Sequence, residues 1–249
     1  EIEQDSLTGN AGVDWERFSI DLSGTRRNFD IHAEGFDFLD YDQEEIALAA
    51  GWKLTDHMRL IANLLGGWTD YKEDVKNDYT FQEYAVGAHW TPSDHFGIRA
   101  DVGFRRNDYD PGSGTLPAFD QDYETVVTRV TLLWAPSEDG LLTIGYHHRP
   151  DESIATNFIT TDRVTASYEH ALGSRWKARV QGSYDLSRES TGPVPQETKE
   201  GVTGGATVTF RILEWLSADL GYLYREKFTN DDSGEYIDHQ AILGLTARF

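Results

Sequence analysis

The chain has no cysteine and a single methionine among its 249 residues. Without cysteine there is no disulfide framework, no thiol nucleophile and no thiolate metal ligand. No run of about 18 apolar residues occurs, which excludes a transmembrane helix. Positive charge is scarce: 22 Lys and Arg stand against 43 Asp and Glu, a formal net charge of -21, which argues against a nucleic-acid partner. Helical periodicity is nearly absent. There is no G-x-S-x-G, no phosphate-binding glycine loop and no metal-ligand spacing, so no cofactor and no metal are expected. Mean hydropathy is negative. That does not exclude a membrane barrel, in which only alternate strand residues face lipid.

What the chain does have is period-two alternation, repeated about a dozen times. Ile46, Leu48, Ala50 and Trp52 form one apolar stripe, and Tyr84, Val86, Ala88 and Trp90 another. Val126, Val130, Leu132 and Trp134 follow, then Trp176, Ala178 and Val180, and later Leu216, Ala218, Leu220 and Tyr222. Such stripes mark strands with one apolar and one polar face. The connections between them alternate short and long, from LTDH, TPSDH, APSEDG and GSR on one side to segments of seven to sixteen residues on the other, such as Lys72–Asp78 and Asn107–Asp122. Short periplasmic turns opposite long extracellular loops are the plan of an outer-membrane barrel. The pattern predicts an all-β fold: one transmembrane antiparallel up-and-down β-barrel of about 12 strands over residues 16–249. Residues 1–15 are expected to be a periplasmic N-terminal lead-in. An even strand count would put both termini on the periplasmic side. Glu1 opens the chain without a start methionine or a secretory apolar segment, as in a processed or shortened chain.

The tryptophans are sorted by connection type. Trp52, Trp90, Trp134, Trp176 and Trp215 lie near short turns, while Trp68 lies towards the opposite rim with Tyr71, Tyr79, Tyr109, Tyr123, Tyr184 and Tyr224. Aromatic rings at both ends of an apolar band are expected to form membrane girdles.

If the apolar parity faces lipid, the opposite parity lines a lumen. Its bases are Arg59, Arg99, Arg105, Arg129, Arg149 and Arg163, then Lys177, Arg179, Arg211 and Arg225. Its acids include Asp101, Glu169, Asp185 and Asp219. Two arrangements are open. Bases and acids could pair across strands and plug a narrow lumen. Alternatively, a ladder of bases could line a path for anions, since fixed charge in a pore selects ions. The excess of inward bases favours the second.

The acidic excess is assigned mainly to the long loops: Asp37, Asp40, Asp42 and Glu44; Asp70, Glu73, Asp74 and Asp78; Asp108, Asp110, Asp120 and Asp122; and Asp231, Asp232, Glu235 and Asp238. Clustered carboxylates can bind calcium, but TNDDSGEYI at 229–237 lacks the spacing of a calcium loop, so solvated outer loops bridged by divalent ions to lipopolysaccharide are the expectation. His147, His148 and Ser153 are the only residues suggestive of hydrolysis. The two histidines point to opposite faces and the serine lies beyond Pro150, so no enzyme is expected.

Two resemblances add to this. The last strand, QAILGLTARF, ends on Phe249 and resembles the closing strand of bacterial outer-membrane barrels, whose terminal aromatic residue is read by the assembly machinery. DYETVVTRVTLLWAP at 122–136, LLTIGYHHR at 141–149 and the segment 162–185 with Tyr168 and Arg175-Trp176 resemble the EpsL-type barrels of exosortase-associated exopolysaccharide export. That resemblance implies passage or anchoring of a polysaccharide at the outer membrane of a Gram-negative bacterium, with an envelope or export partner. The expected function is a passive channel, or porin, for an anionic saccharide or other small solute. The alternative is a plugged barrel that anchors a surface or envelope assembly.

Overall fold

The computed structural model describes residues 2–31, 40–73, 76–110, 122–152, 158–189, 198–230 and 235–247. Among them the chain forms strands and no helix. The first seven strands are β1 (Ile2–Asp14), β2 (Phe18–Ile31), β3 (Tyr41–Thr55), β4 (Met58–Tyr71), β5 (Tyr79–Ser93), β6 (Phe96–Tyr109) and β7 (Tyr123–Ser137). They are followed by β8 (Gly140–Glu152), β9 (Phe158–Leu172), β10 (Trp176–Glu189), β11 (Thr198–Leu213), β12 (Leu216–Thr229) and β13 (Tyr236–Ala247). Each pairs antiparallel with the next, giving one 13-stranded up-and-down sheet in chain order. The sheet is open. Among the described residues β1 pairs only with β2, and β13 only with β12.

Alternation decides which side chain goes where. From β2 to β12 the large apolar residues at even positions, such as Leu22, Val86, Val102 and Val180, stay exposed on one face. The odd positions carry the polar set, and the most deeply buried strand residues, Thr69 and Phe81, belong to it. Most of the residues that line one cavity of about 630 Å³ are odd-face residues of β2 to β8. The polar face is therefore the concave one, and the apolar face the convex one. This is inside-out relative to a water-soluble sheet, and a lipid surround accounts for it.

At one rim the hairpins are tight. Two or three residues join β1 to β2, β3 to β4, β5 to β6, β7 to β8, β9 to β10 and β11 to β12. Register shifts between Lys53 and Thr55, Trp90 and Ser93, Trp134 and Ser137, and Arg211 and Leu213 all sit beside these turns. On the other side of β5 and β7 the ladder runs on without a shift for one more residue: the Thr91 amide donates to the His57 carbonyl and the Ala135 amide to the His95 carbonyl, both at 2.8 Å. The turn after β9 needs Gly173, whose φ is +77°.

Four features differ from the sequence expectation. Residues 2–14, expected as a lead-in, form β1, laddered to β2 from Ile2↔Ile31 to Asp14↔Ser19. Its convex side offers only Leu7, Gly9, Ala11 and Val13, too little apolar bulk to stand out as a stripe. The strand count is odd, so β1 starts at the rim of the long connections and β13 ends at the rim of the tight turns. Asp42, Glu44, Asp70, Asp108 and Asp238, assigned to loops, belong to β3, β4, β6 and β13. At 12 to 16 residues, the strands exceed the ~9–11 needed to span a bilayer, so their upper ends can carry charge. Finally, Tyr71, Tyr79, Tyr109 and Tyr123 are not on the lipid side. They share the concave parity, and Tyr79 and Tyr109 are buried. Of the other loop residues, Asp37, Asp74, Asp120, Asp231 and Asp232 lie outside the described set, as does Phe249.

Candidate functional site

The concave face is built in rows, because facing residues of neighbouring strands stand side by side. One row crosses the centre of the sheet: Asp101 (β6), Arg129 (β7), His147 (β8), Arg163 (β9) and Asp185 (β10), each the ladder partner of the next. A second crosses lower: Arg59 (β4), His89 (β5), Arg99 (β6) and Thr131 (β7), continuing through Gly145, Thr165, Ser183 and Thr203 to Arg225 (β12). Nearer the tight turns, Glu169 faces Arg179, and Lys177 connects through Thr209 to Asp219. With Arg105 opposite Glu83, Arg149 opposite Thr161 and Arg211 opposite Ser217, all fourteen residues assigned above to a lumen lie on the concave parity.

Pairing divides the bases into two groups. Arg99 holds buried Asp101 through its Nε at 3.2 Å, Arg105 lies 3.8 Å from Glu83, and Lys177 reaches Glu169 at 2.7 Å. Arg163 pairs with Asp185, and Arg59 donates to Ser19 Oγ at 2.5 Å, with Asp14 at 3.9 Å. Asp219 accepts from Thr209 Oγ1 at 2.6 Å. Arg129, Arg179, Arg211 and Arg225 are exposed on this face, and their side chains have no hydrogen-bond or ion-pair partner among the described residues. These four guanidinium groups are uncompensated positive charge on the concave face, where among the described residues Asp21 and Asp219 also lack a basic partner.

Above the central row lies an element that the sequence reading had assigned elsewhere. Phe29 stacks on Tyr41 at 5.1 Å, Tyr41 meets Tyr71 edge-on at 5.9 Å, and Tyr79 packs on Tyr109 at 5.2 Å. These rings sit on β2 to β6 and form an aromatic strip at the rim of the long connections. Lys76 covers it, donating to the Tyr71 hydroxyl at 3.0 Å and standing over its ring, while Arg105 stands 4.3 Å above Phe81. Phe81 in turn rests on Gly67, where an added Cβ would lie 2.7 Å from its ring. Parity alone would have placed this strip on the concave side; the sequence reading sorted tyrosines by connection type instead. Tyr41, Tyr79 and Tyr109 line the 630 Å³ cavity together with Arg27, Arg105 and Arg129.

On the convex face Trp52, Trp90, Trp134 and Trp176 stand exposed near the tight turns, where Trp52 stacks on Phe18 and Trp176 packs on Phe210, and Trp215 is exposed in the β11–β12 turn itself. Trp15, in the β1–β2 turn, joins this row, and Trp68 stands at the other rim. The two histidines of β8 separate as expected. His147 is on the concave parity, opposite Arg129, whereas His148 is on the convex parity, opposite Thr128, with its Nδ1 2.8 Å from Asp162 Oδ1. Ser153 lies outside the described residues. Among the described residues no group of three or more His, Asp or Glu gathers as a metal site.

No family model and no curated protein sequence matches the chain. Solved structures do. The FrpB iron transporter from Neisseria meningitidis (F3-3 variant) superposes with a TM-score of 0.61 at 9% identity, over 93% of this chain and 45% of that one. The copper transporter OprC gives 0.61 at 11% identity, over 99% of this chain and 50% of that one. The fold is that of an outer-membrane barrel wall. With its apolar convex band, the wall lies in the outer membrane of a Gram-negative bacterium. The chain spans about half the length of each of these proteins, and at such identities the likeness is one of fold alone.

Proposed function

We propose that the protein is a wall of a passive outer-membrane channel for small anionic solutes, anionic saccharides among them. The observation that carries this reading is the set of four unpaired, exposed guanidinium groups, Arg129, Arg179, Arg211 and Arg225, on the concave face. Fixed positive charge along a water-filled path concentrates anions and repels cations. The aromatic lining at Tyr41, Tyr79 and Tyr109 suits a solute with an apolar ring face, as a sugar has. In this reading the tight turns are periplasmic, the long connections extracellular, and the outer rim carboxylates contact lipopolysaccharide through divalent ions. Passage of an exopolysaccharide is one form that this function can take.

The test is ion preference in a planar bilayer under a salt gradient, comparing the native protein with Arg129→Glu/Arg179→Glu. Anion preference that shifts towards cations in the double variant supports the proposal; an unchanged reversal potential refutes it. A second reading has its own observation. Arg99, Arg105, Arg163 and Lys177 are each neutralised by a carboxylate, as in a plugged wall that anchors an envelope assembly. A correctly folded protein that never conducts would favour it.

A further inference from the structure

We infer that the wall is completed by an odd number of further membrane strands, the outermost two running antiparallel to β1 and β13, and not by direct contact of these two edges. The inference stands on the ladder and is independent of the channel proposal.

β1 and β13 both leave one backbone edge unpaired among the described residues. Their apolar side chains show the same lack of neighbours: Leu7, Leu243 and Leu245 are 76%, 83% and 74% exposed, while Leu22 and Leu60 inside the sheet are 49% and 36% exposed. Hydrocarbon offers no partner for backbone N–H and C=O groups, so a sheet in a bilayer cannot keep open edges.

Strand direction then restricts what can fill the gap. Thirteen is odd, so β1 and β13 both run from the rim of the long connections to the rim of the tight turns. Direct closure would make a single parallel seam in an otherwise antiparallel wall. A second copy in the same membrane orientation does no better, because its β1 and β13 also run the same way and every joint between copies would be parallel. Antiparallel pairing at both edges requires an upward strand beside each, hence one, three or a larger odd number of strands. The curvature agrees: the arc superposes on about half of two larger outer-membrane transporters.

The chain lacks cysteine, so engineered pairs test this in the protein as inserted in its outer membrane. Gly9→Cys or Ala11→Cys in β1 is combined with Ala241→Cys, Leu243→Cys or Leu245→Cys in β13 and oxidised. Ala11→Cys/Leu22→Cys and Leu220→Cys/Leu243→Cys, which are ladder partners, serve as positive controls, and the mass of the folded assembly is measured in detergent. Controls that cross-link, β1–β13 pairs that do not, and a folded mass that is no whole-number multiple of this chain are the expected result. A denaturing gel then tells whether the added strands belong to the same polypeptide or to another. A β1–β13 cross-link within one chain or between two would overturn the inference. So would a folded mass equal to this chain alone with no such cross-link, since the edges would then have no partner.

Discussion

Val86→Arg separates a lipid-facing surface from a water-facing one. Val86 stands at the centre of β5, seven residues from Tyr79 and seven from Ser93, with Ala62 and Val102 as ladder partners. At ~3.4 Å per residue and a tilt of about 40°, it lies roughly 18 Å along the membrane normal from either end of the strand, near the middle of an apolar band about 25 Å tall. It is 63% exposed. On a water-soluble sheet such a position tolerates arginine within about 0.5 kcal/mol. At a bilayer midplane the same change costs about 2–4 kcal/mol, or roughly 30- to 900-fold in the folding equilibrium. The assay is urea unfolding of the protein folded into lipid vesicles, with Ser183→Arg on the concave side of β10, next to Asp185, as control. A large loss for Val86→Arg and little for Ser183→Arg is expected. Equal, small effects would refute the assignment of the faces.

Further outcomes follow from local geometry. Gly67→Ala brings a Cβ within 2.3 Å of the Glu44 carbonyl and 2.7 Å of the Phe81 ring, and should lose about 1–3 kcal/mol in the same assay. Gly9→Ala, which meets nothing within 4 Å, should stay within about 0.5 kcal/mol. The Lys177–Glu169 pair is half-exposed, so a double-mutant cycle should return no more than about 1 kcal/mol, and swapping the two residues should restore it. In the β3–β4 turn a hydrogen bond from Lys53, with its charge, holds Asp56 below the usual carboxylate range. An NMR titration should show that depressed value return to normal in Lys53→Ala. Since the folded value is the lower one, the stabilisation from this pair is present at neutral pH and lost as pH falls through it.

The strands from β2 to β12 are legible because each carries enough large apolar residues at one parity to reveal its period, as Ile46 to Trp52 and Leu216 to Tyr222 do. β1 is not, since Gly9 and Ala11 occupy positions where bulk would mark a stripe, and only the ladder to β2 identifies it. The concave placement of the bases and acids assigned to a lumen follows from parity alone. Their division into paired and unpaired bases does not, because Arg99 turns to Asp101 on its own strand, while Arg129, beside the same Asp101, is left without it. Parity puts Phe29, Tyr41 and Tyr71 on the concave side, but their meeting as a strip depends on register across three strands, which no local pattern encodes. The open edges are equally invisible, as they concern backbone groups and not side chains.

Conduction of anions along the concave face is what we propose for this protein. The most direct measurement is single-channel current from the folded wall purified from the outer membrane together with the strands that complete it, in a planar bilayer under a salt gradient. Steady openings whose reversal potential reports anion preference are expected. A cation-preferring current, or a silent bilayer from protein shown to be folded by heat-modifiable gel migration, would contradict it.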